Sequence, residues 1–187
     1  MGNRATALRI GLIVGAGDYT DRLTWWVRRI DEAGLSKSSI VVAPLPTERP
    51  VQVLDVRDAA EFAVHCAKKS LGGVWNVNGE VVTMNDLLTA IHSTTASKGK
   101  IRWISPDAFA AADADPWTDV PLMAPNLSAF RHFLEVDASR ARAAGLNARP
   151  MSETLKPLVE WDRTRRDVEL VCGMSAEQEE RVMEEGS

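Results

Sequence analysis

Hydrophobic positions along the chain follow two rhythms that alternate for most of its length. Ala7 to Val14 (ALRIGLIV) is a continuous apolar run bounded by Gly15-Ala16-Gly17-Asp18. A run of that length predicts a strand buried on both faces, as in a parallel sheet. Leu23, Trp26, Val27 and Ile30 then recur at helical spacing behind a capping Asp18 or Thr20, and Gly34 closes the helix. Trp25 falls off that stripe. A short run from Ile40 to Ala43 leads into a bend rich in proline (Pro44, Pro46, Pro50).

The stretch from Arg49 to Phe62 reads as a strand entering a helix. Val51, Val53, Leu54 and Val56 suit a pleated surface, and Asp58 can cap a helix whose stripe is Ala59, Phe62, Ala63 and Cys66. After Gly72-Gly73, Val74 to Val77 predicts another strand. Thr83 with Asp86 makes a capping-box start for a helix carrying Leu87, Leu88 and Ile91. Ile101 to Ile104 alternates like a strand, and Ser105-Pro106-Asp107 opens a helix with proline just inside. From Ala110 to Leu127, acids and prolines intermingle with Trp117 and Met123, which predicts a long irregular loop of the kind that often carries function. Phe133 to Val136 is a last strand candidate, and Asp137 caps a helix that Gly145 ends. A further helix runs from Ser152 through Leu155, Leu158, Val159 and Trp161. This alternation argues an α/β architecture, divided into a body over residues 1–170 and a short acidic helix over 171–187 that faces solvent or docks on a partner.

Composition narrows the classes of function. Lys plus Arg (22) against Asp plus Glu (26) gives a net charge of −4, so no nucleic-acid footprint exists, and Arg163 to Arg166 reads as a solvated helix face. Cys66 and Cys172, with His65, His92 and His132 scattered, form no spaced metal cluster. No stretch approaches a membrane span and no signal-peptide pattern opens the chain, so a soluble cytoplasmic protein is expected. Six tryptophans against one tyrosine are expected to fill core or wall a pocket.

Four segments, taken in order, resemble one family. Leu8 to Asp18 resembles the late Rossmann strand and following loop of extended short-chain dehydrogenases/reductases, the NAD-dependent epimerase/dehydratase family. The stretch from Arg49 to Phe62 resembles that family's strand–helix junction. Gly73-Val74-Trp75-Asn76-Val77-Asn78-Gly79 with Thr83 to Leu88 resembles its next strand and helix, and Asp137 to Leu146 with Pro150 and Trp161 resembles its C-terminal motif. The resemblance spans roughly residues 7 to 165 and is greatest to the reductase-like branch. It implies the C-terminal part of a Rossmann-like extended short-chain dehydrogenase fold with its substrate-binding subdomain, lacking the N-terminal dinucleotide-binding half.

The departures from the family are specific. No Gly-rich G-x-x-G-x-x-G turn is present to hold a dinucleotide pyrophosphate. The family's catalytic pair is a Tyr and a Lys four residues on, whereas the sole tyrosine is Tyr19 and Leu23 stands four further. The chain by itself is therefore expected to be redox-inactive and to need no cofactor, with NAD(P) entering only if an N-terminal half completes it. Family members carry Arg-Pro-Gly where Arg9-Ile10-Gly11 stands, and nucleotide-sugar epimerases tend to carry an arginine where Val51 stands, which makes a nucleotide-sugar substrate less expected.

The resemblance places Trp25, Gln52 and Arg57 near a small-molecule substrate. From composition, Trp117 and Met123 join them as an apolar lid; core filling for the tryptophans and an ion pair for Arg57 are the competing readings. Asp18, Asp21, Asp55, Asp113, Asp115 and Asp119 are candidate acids or bases for a cofactor-free isomerase, cyclase or dehydratase, or else caps and loop carboxylates. A non-catalytic binding or scaffold protein is the third reading. An unpaired strand over Ala7 to Val14 further implies a homodimer or a partner chain that covers it.

Overall fold

The computed structural model describes residues 5–35, 40–125, 130 and 132–186. Three sets of strands carry the chain. β1 (Thr6–Ile10) runs parallel to β5 (Gly73–Val77), with Leu8 opposite Trp75 and Arg9 opposite Asn76. β2 (Leu12–Val14) runs parallel to β4 (Pro50–Asp55), whose other edge takes β6 (Val81–Thr83) antiparallel. β3 (Ile40–Pro44) pairs in parallel with β7 (Lys100–Ile104).

The apolar run that reads as one strand is thus two. Gly11 divides it, donating its N–H to the carbonyl of Val77 at 3.2 Å, and the halves on either side take different neighbours. Burial on both faces also fails for the first half. Thr6, Ala7, Arg9 and Ile10 are exposed and Leu8 is half-buried, because α2 (Val56–Lys69) covers one face only and β5 is the strand paired with β1 among the described residues. A run of apolar letters fixes what a strand could bury, while its neighbours decide what it does bury.

Two cores result. The larger lies among α1 (Arg22–Ala33), α3 (Met84–Thr95) and α6 (Met151–Arg163), where Trp26, Leu88, Ile91, Leu155 and Leu158 are wholly buried. The smaller fills the space between α2 and the β1–β5 pair with Phe62, Cys66, Trp75, Val77 and Leu146. The Thr83–Asp86 capping box forms as its spelling implies, Thr83 Oγ1 accepting from Asp86 N–H at 3.0 Å. α2 begins earlier than expected. Asp55 is its N-cap, accepting from Arg57 N–H at 2.8 Å, while Asp58 sits in the first turn and receives the Arg149 backbone N–H at 2.9 Å. At α1 the N-cap is Asp21 in left-handed conformation, and Asp18 instead accepts from Thr20 N–H at 2.8 Å.

Residues 132–137 form turns and irregular backbone where a strand is expected. Of the arginines at 163–166, Arg163 is exposed as expected of a solvated face, but Arg165 and Arg166 are half-buried and all three are held in ion pairs. Arg163 pairs with Asp31 at 2.7 Å, Arg165 with Asp21 at 2.9 Å, and Arg166 with Asp31 and the fully buried Asp162. They strap the following segment to α1, and α7 (Ala176–Glu185) then docks by Val182 and by an Arg29–Glu179 pair at 2.6 Å. α4 (Pro106–Ala111) and α5 (Ser139–Ala143) are short connectors. Among the described residues no helix is long and apolar enough to cross a membrane.

Candidate functional site

A parallel strand that changes neighbours leaves a crevice where the two sheets part, and such crevices are where open α/β folds bind ligands. Here that point is Gly11. A cavity of about 530 Å³ opens beside it, walled by Arg9, Gln52, Asn78, Trp117 and Phe133. A second cavity of about 420 Å³ shares Gly11 and Leu12 and follows the loop from Gly15 to Thr20.

Strand period builds the polar side of the larger cavity. Leu8, Trp75 and Val77 face the smaller core, so Arg9 and Asn76 point the other way, and Asn78 follows just past the end of β5. Asn76 Nδ2 donates to the Asp137 carbonyl at 3.1 Å. Asn78 is 4% exposed, and its amide makes no hydrogen bond among the described residues. Its Oδ1 would lie 1.6 Å from a Cβ on residue 11, so glycine is required there for the close approach. The opposite wall is aromatic. Trp117 and Phe133 meet edge to face at 5.1 Å, Phe130 continues the series at 5.6 Å from Phe133, and the Arg22 guanidinium lies 5.0 Å over the Trp117 ring.

Gln52 is buried and its amide is fully engaged. Nε2 donates to the carbonyls of Gly79 (3.0 Å) and Val136 (2.9 Å), and Oε1 accepts from Val136 N–H at 2.9 Å. It lines the cavity while fixing the irregular segment that brings Phe133 and Leu134 to the rim.

The five sequence-derived residues therefore separate. Gln52 and Trp117 share this cavity. Trp25 is buried on α1, edge-on to Trp26 at 4.7 Å and covered by the C-terminal segment, since a Cβ on Gly173 would lie 1.9 Å from its ring. Met123 is 3% exposed within the larger core, away from any lid. Arg57 pairs with Asp55 at 2.6 Å and donates to the Glu153 carbonyl at 2.9 Å. Burial pushes the Asp55 carboxyl up, but hydrogen bonds from Arg57 and Thr154 outweigh it and hold the group below its usual range.

Of the acidic candidates, Asp21 and Asp55 are committed to arginines and Asp119 to the Asp115 N–H and Gln178. None of the described acids lines the larger cavity; Asp18 lines the smaller one. No group of three His, Cys, Asp or Glu that could hold a metal ion comes together among the described residues. Burial pushes the Cys172 thiol up to about 12 and raises Cys66 as well. Reasoning from sequence passed over Arg9, Asn78 and Phe133 as site residues. The alternation of Trp75 and Val77 with Asn76 and Asn78 was the signal that set two amides on one side.

No family model matches the sequence, and no curated protein matches it. Solved structures do. RMD from Pseudomonas aeruginosa, complexed with NADPH, matches with a TM-score of 0.58 at 13% identity, over 85% of this chain and 48% of that one. A GDP-L-fucose synthetase from Naegleria fowleri gives 0.59 at 12% identity, over 87% and 47%. The UDP-glucose 4-epimerase of Thermus thermophilus, in complex with NAD, gives 0.56 at 18% identity, over 86% and 47%. The fold is thus a partial Rossmann-like one of the NAD-dependent epimerase and short-chain dehydrogenase type. The chain spans about half the length of those structures.

Proposed function

We propose that the chain is the small-molecule-binding part of an NAD(P)-dependent epimerase- or reductase-like protein, with the 530 Å³ cavity at Gly11 as its substrate pocket. The observation that carries this reading is the position of the cavity: it sits where β1 and β2 part to join separate sheets, between an aromatic wall and a polar strand face. The named complexes of the similar structures with NADPH and NAD support a nicotinamide-linked setting for the working protein. The Gly-rich turn and the Tyr–Lys pair are absent from this sequence, so in this reading hydride chemistry depends on a nucleotide-binding half placed against it.

The exposed, half-paired β1 supports the same arrangement. Its backbone can accept a further parallel strand, and Ile10 (46% exposed) with Val74 (42%) offers apolar surface beside it. A strand of such a nucleotide-binding half is the occupant that fits a parallel α/β edge. The test is a fragment screen by amide NMR on the 187-residue chain. Ligand-induced shifts clustered at Asn76, Asn78 and the Trp117 indole support the reading, while shifts confined to other surfaces overturn it.

A further inference from the structure

The geometry points to the class of ligand this cavity takes: a small carboxylate carried on an aromatic or branched apolar body. This rests on reading the cavity as the ligand site.

Three observations converge. Arg9 projects from β1 into the cavity, is exposed, and has no hydrogen bond or ion pair among the described residues. By contrast, Arg28 is tied to Asp162, Arg29 to Glu179, Arg149 to Asp58 and Arg163 to Asp31. On the same cavity as Arg9, Asn78 is only 4% exposed and its amide makes no hydrogen bond among the described residues. Nearly buried amides in folded proteins are hydrogen-bonded, so one left without a protein partner on a cavity wall is available to a polar ligand atom. Finally, no described Asp or Glu lines the cavity; Glu135, close in sequence, is turned to His132 at 3.2 Å.

A carboxylate answers both donors. Its two oxygens match the planar fork of a guanidinium, and one of them can also accept from the Asn78 amide. Trp117, Phe133 and the aliphatic Ile10, Leu12, Leu134 and Val136 make most of the remaining wall, beside Asn76, His132 and the already engaged Gln52, which favours an apolar body over a sugar. Multiple charge does not suit the site. A diphosphate would be pressed against this largely apolar wall with Arg9 the one unpaired arginine among the lining residues to balance it, and a desolvated anion without partners is strongly disfavoured.

Calorimetric titration with 2-naphthoate and 2-naphthamide tests the inference, because the two share a ring system and differ by one charge. On the intact chain, 2-naphthoate is expected to bind at least roughly tenfold tighter than the amide. Arg9→Gln should erase that difference by weakening 2-naphthoate far more than the amide, with the melting temperature unchanged, since Arg9 has no protein partner to lose among the described residues. Phe133→Ala, which trims an exposed rim residue, should weaken both compounds alike, and Trp117→Ala should do the same where it folds. Equal affinity for the two compounds, or 2-naphthoate binding indifferent to Arg9→Gln, overturns the carboxylate inference; if Phe133→Ala still weakens both, the cavity reading survives. Displacement of 2-naphthoate by an equal or lower concentration of UDP overturns it in favour of a diphosphate. Binding of neither compound, or binding indifferent to both aromatic changes, overturns the cavity reading as well.

Discussion

Gln52 holds Val136 by both of its backbone groups, accepting from the N–H and donating to the C=O, each at 2.9 Å. A side chain here does what a neighbouring strand would do. It lets an irregular segment lie along β4 as if it were paired, and so presents Phe133 to the cavity.

Replacing Gln52 with alanine leaves the Val136 and Gly79 backbone groups without that partner. A loss of about 2 kcal/mol is expected from removing one side of a buried hydrogen-bonded set. In thermal denaturation that corresponds to a fall of roughly 4–8 °C for a chain of this size. An unchanged melting temperature would show that the segment is held by other contacts.

Gly11→Ala places a Cβ 1.6 Å from Asn78 Oδ1, a contact that cannot persist. Overpacking of this kind costs about 1–3 kcal/mol. Asn78→Gly on its own should cost less, and the double variant should recover part of the loss, with a coupling of about 1 kcal/mol or more in urea unfolding. Simple additivity would place the strain elsewhere.

The depressed Asp55 carboxyl gives stability a defined pH dependence. A group whose folded pKa lies below its unfolded value stabilises above the unfolded pKa, near ~3.9 for an aspartate, and loses that contribution as pH falls through the folded value. The gap in urea midpoint between wild type and Asp55→Asn should therefore be widest at neutral pH and shrink below about pH 4. A gap constant with pH would assign the effect to shape rather than charge.

Cys172, its thiol pushed up to about 12 and its sulfur hydrogen-bonded to the Thr20 carbonyl at 3.3 Å, holds almost no thiolate at neutral pH. Iodoacetamide at pH 8 should label it roughly a thousandfold more slowly than an ordinary exposed thiol, judged by the difference in thiolate fraction. Both cysteines should react promptly in urea; rapid native labelling of Cys172 would mean the C-terminal strap opens often.

Titration of NADH fluorescence with the 187-residue chain should show no saturable binding at micromolar concentrations, because the Gly-rich pyrophosphate turn is absent. Saturable micromolar binding would refute this.

Features written in local chemistry were legible in the sequence. The Thr83–Asp86 box, the proline-led start of α4 and the strands at Val74 to Val77 and Ile101 to Ile104 depend on residues within one turn or one strand. The start of α2 was not, because Asp55 and Asp58 can each accept an N–H, and the choice is made by Arg149, about ninety residues away. Burial of Ala7 to Ile10 was illegible for the same reason: it depends on which strands and helices lie alongside. Gln52 and Trp117 were named from different arguments and fall in one cavity, whereas Trp25 is sealed by Gly173, a contact that no helical spacing encodes. The close approach of Asn78 to Gly11 joins two chain segments some 67 residues apart, which the local sequence around neither residue encodes.

The division at Gly11 also gives the cavity two walls of different parentage. One belongs to the β1–β5 pair and the other to β4 and the segment pinned by Gln52. Both are backed by the same helix and the same small core, since Leu8, Ile13, Leu54 and Trp75 pack in one cluster against α2. The space between the walls is therefore preset by that shared backing, and a ligand entering it meets a frame already in place.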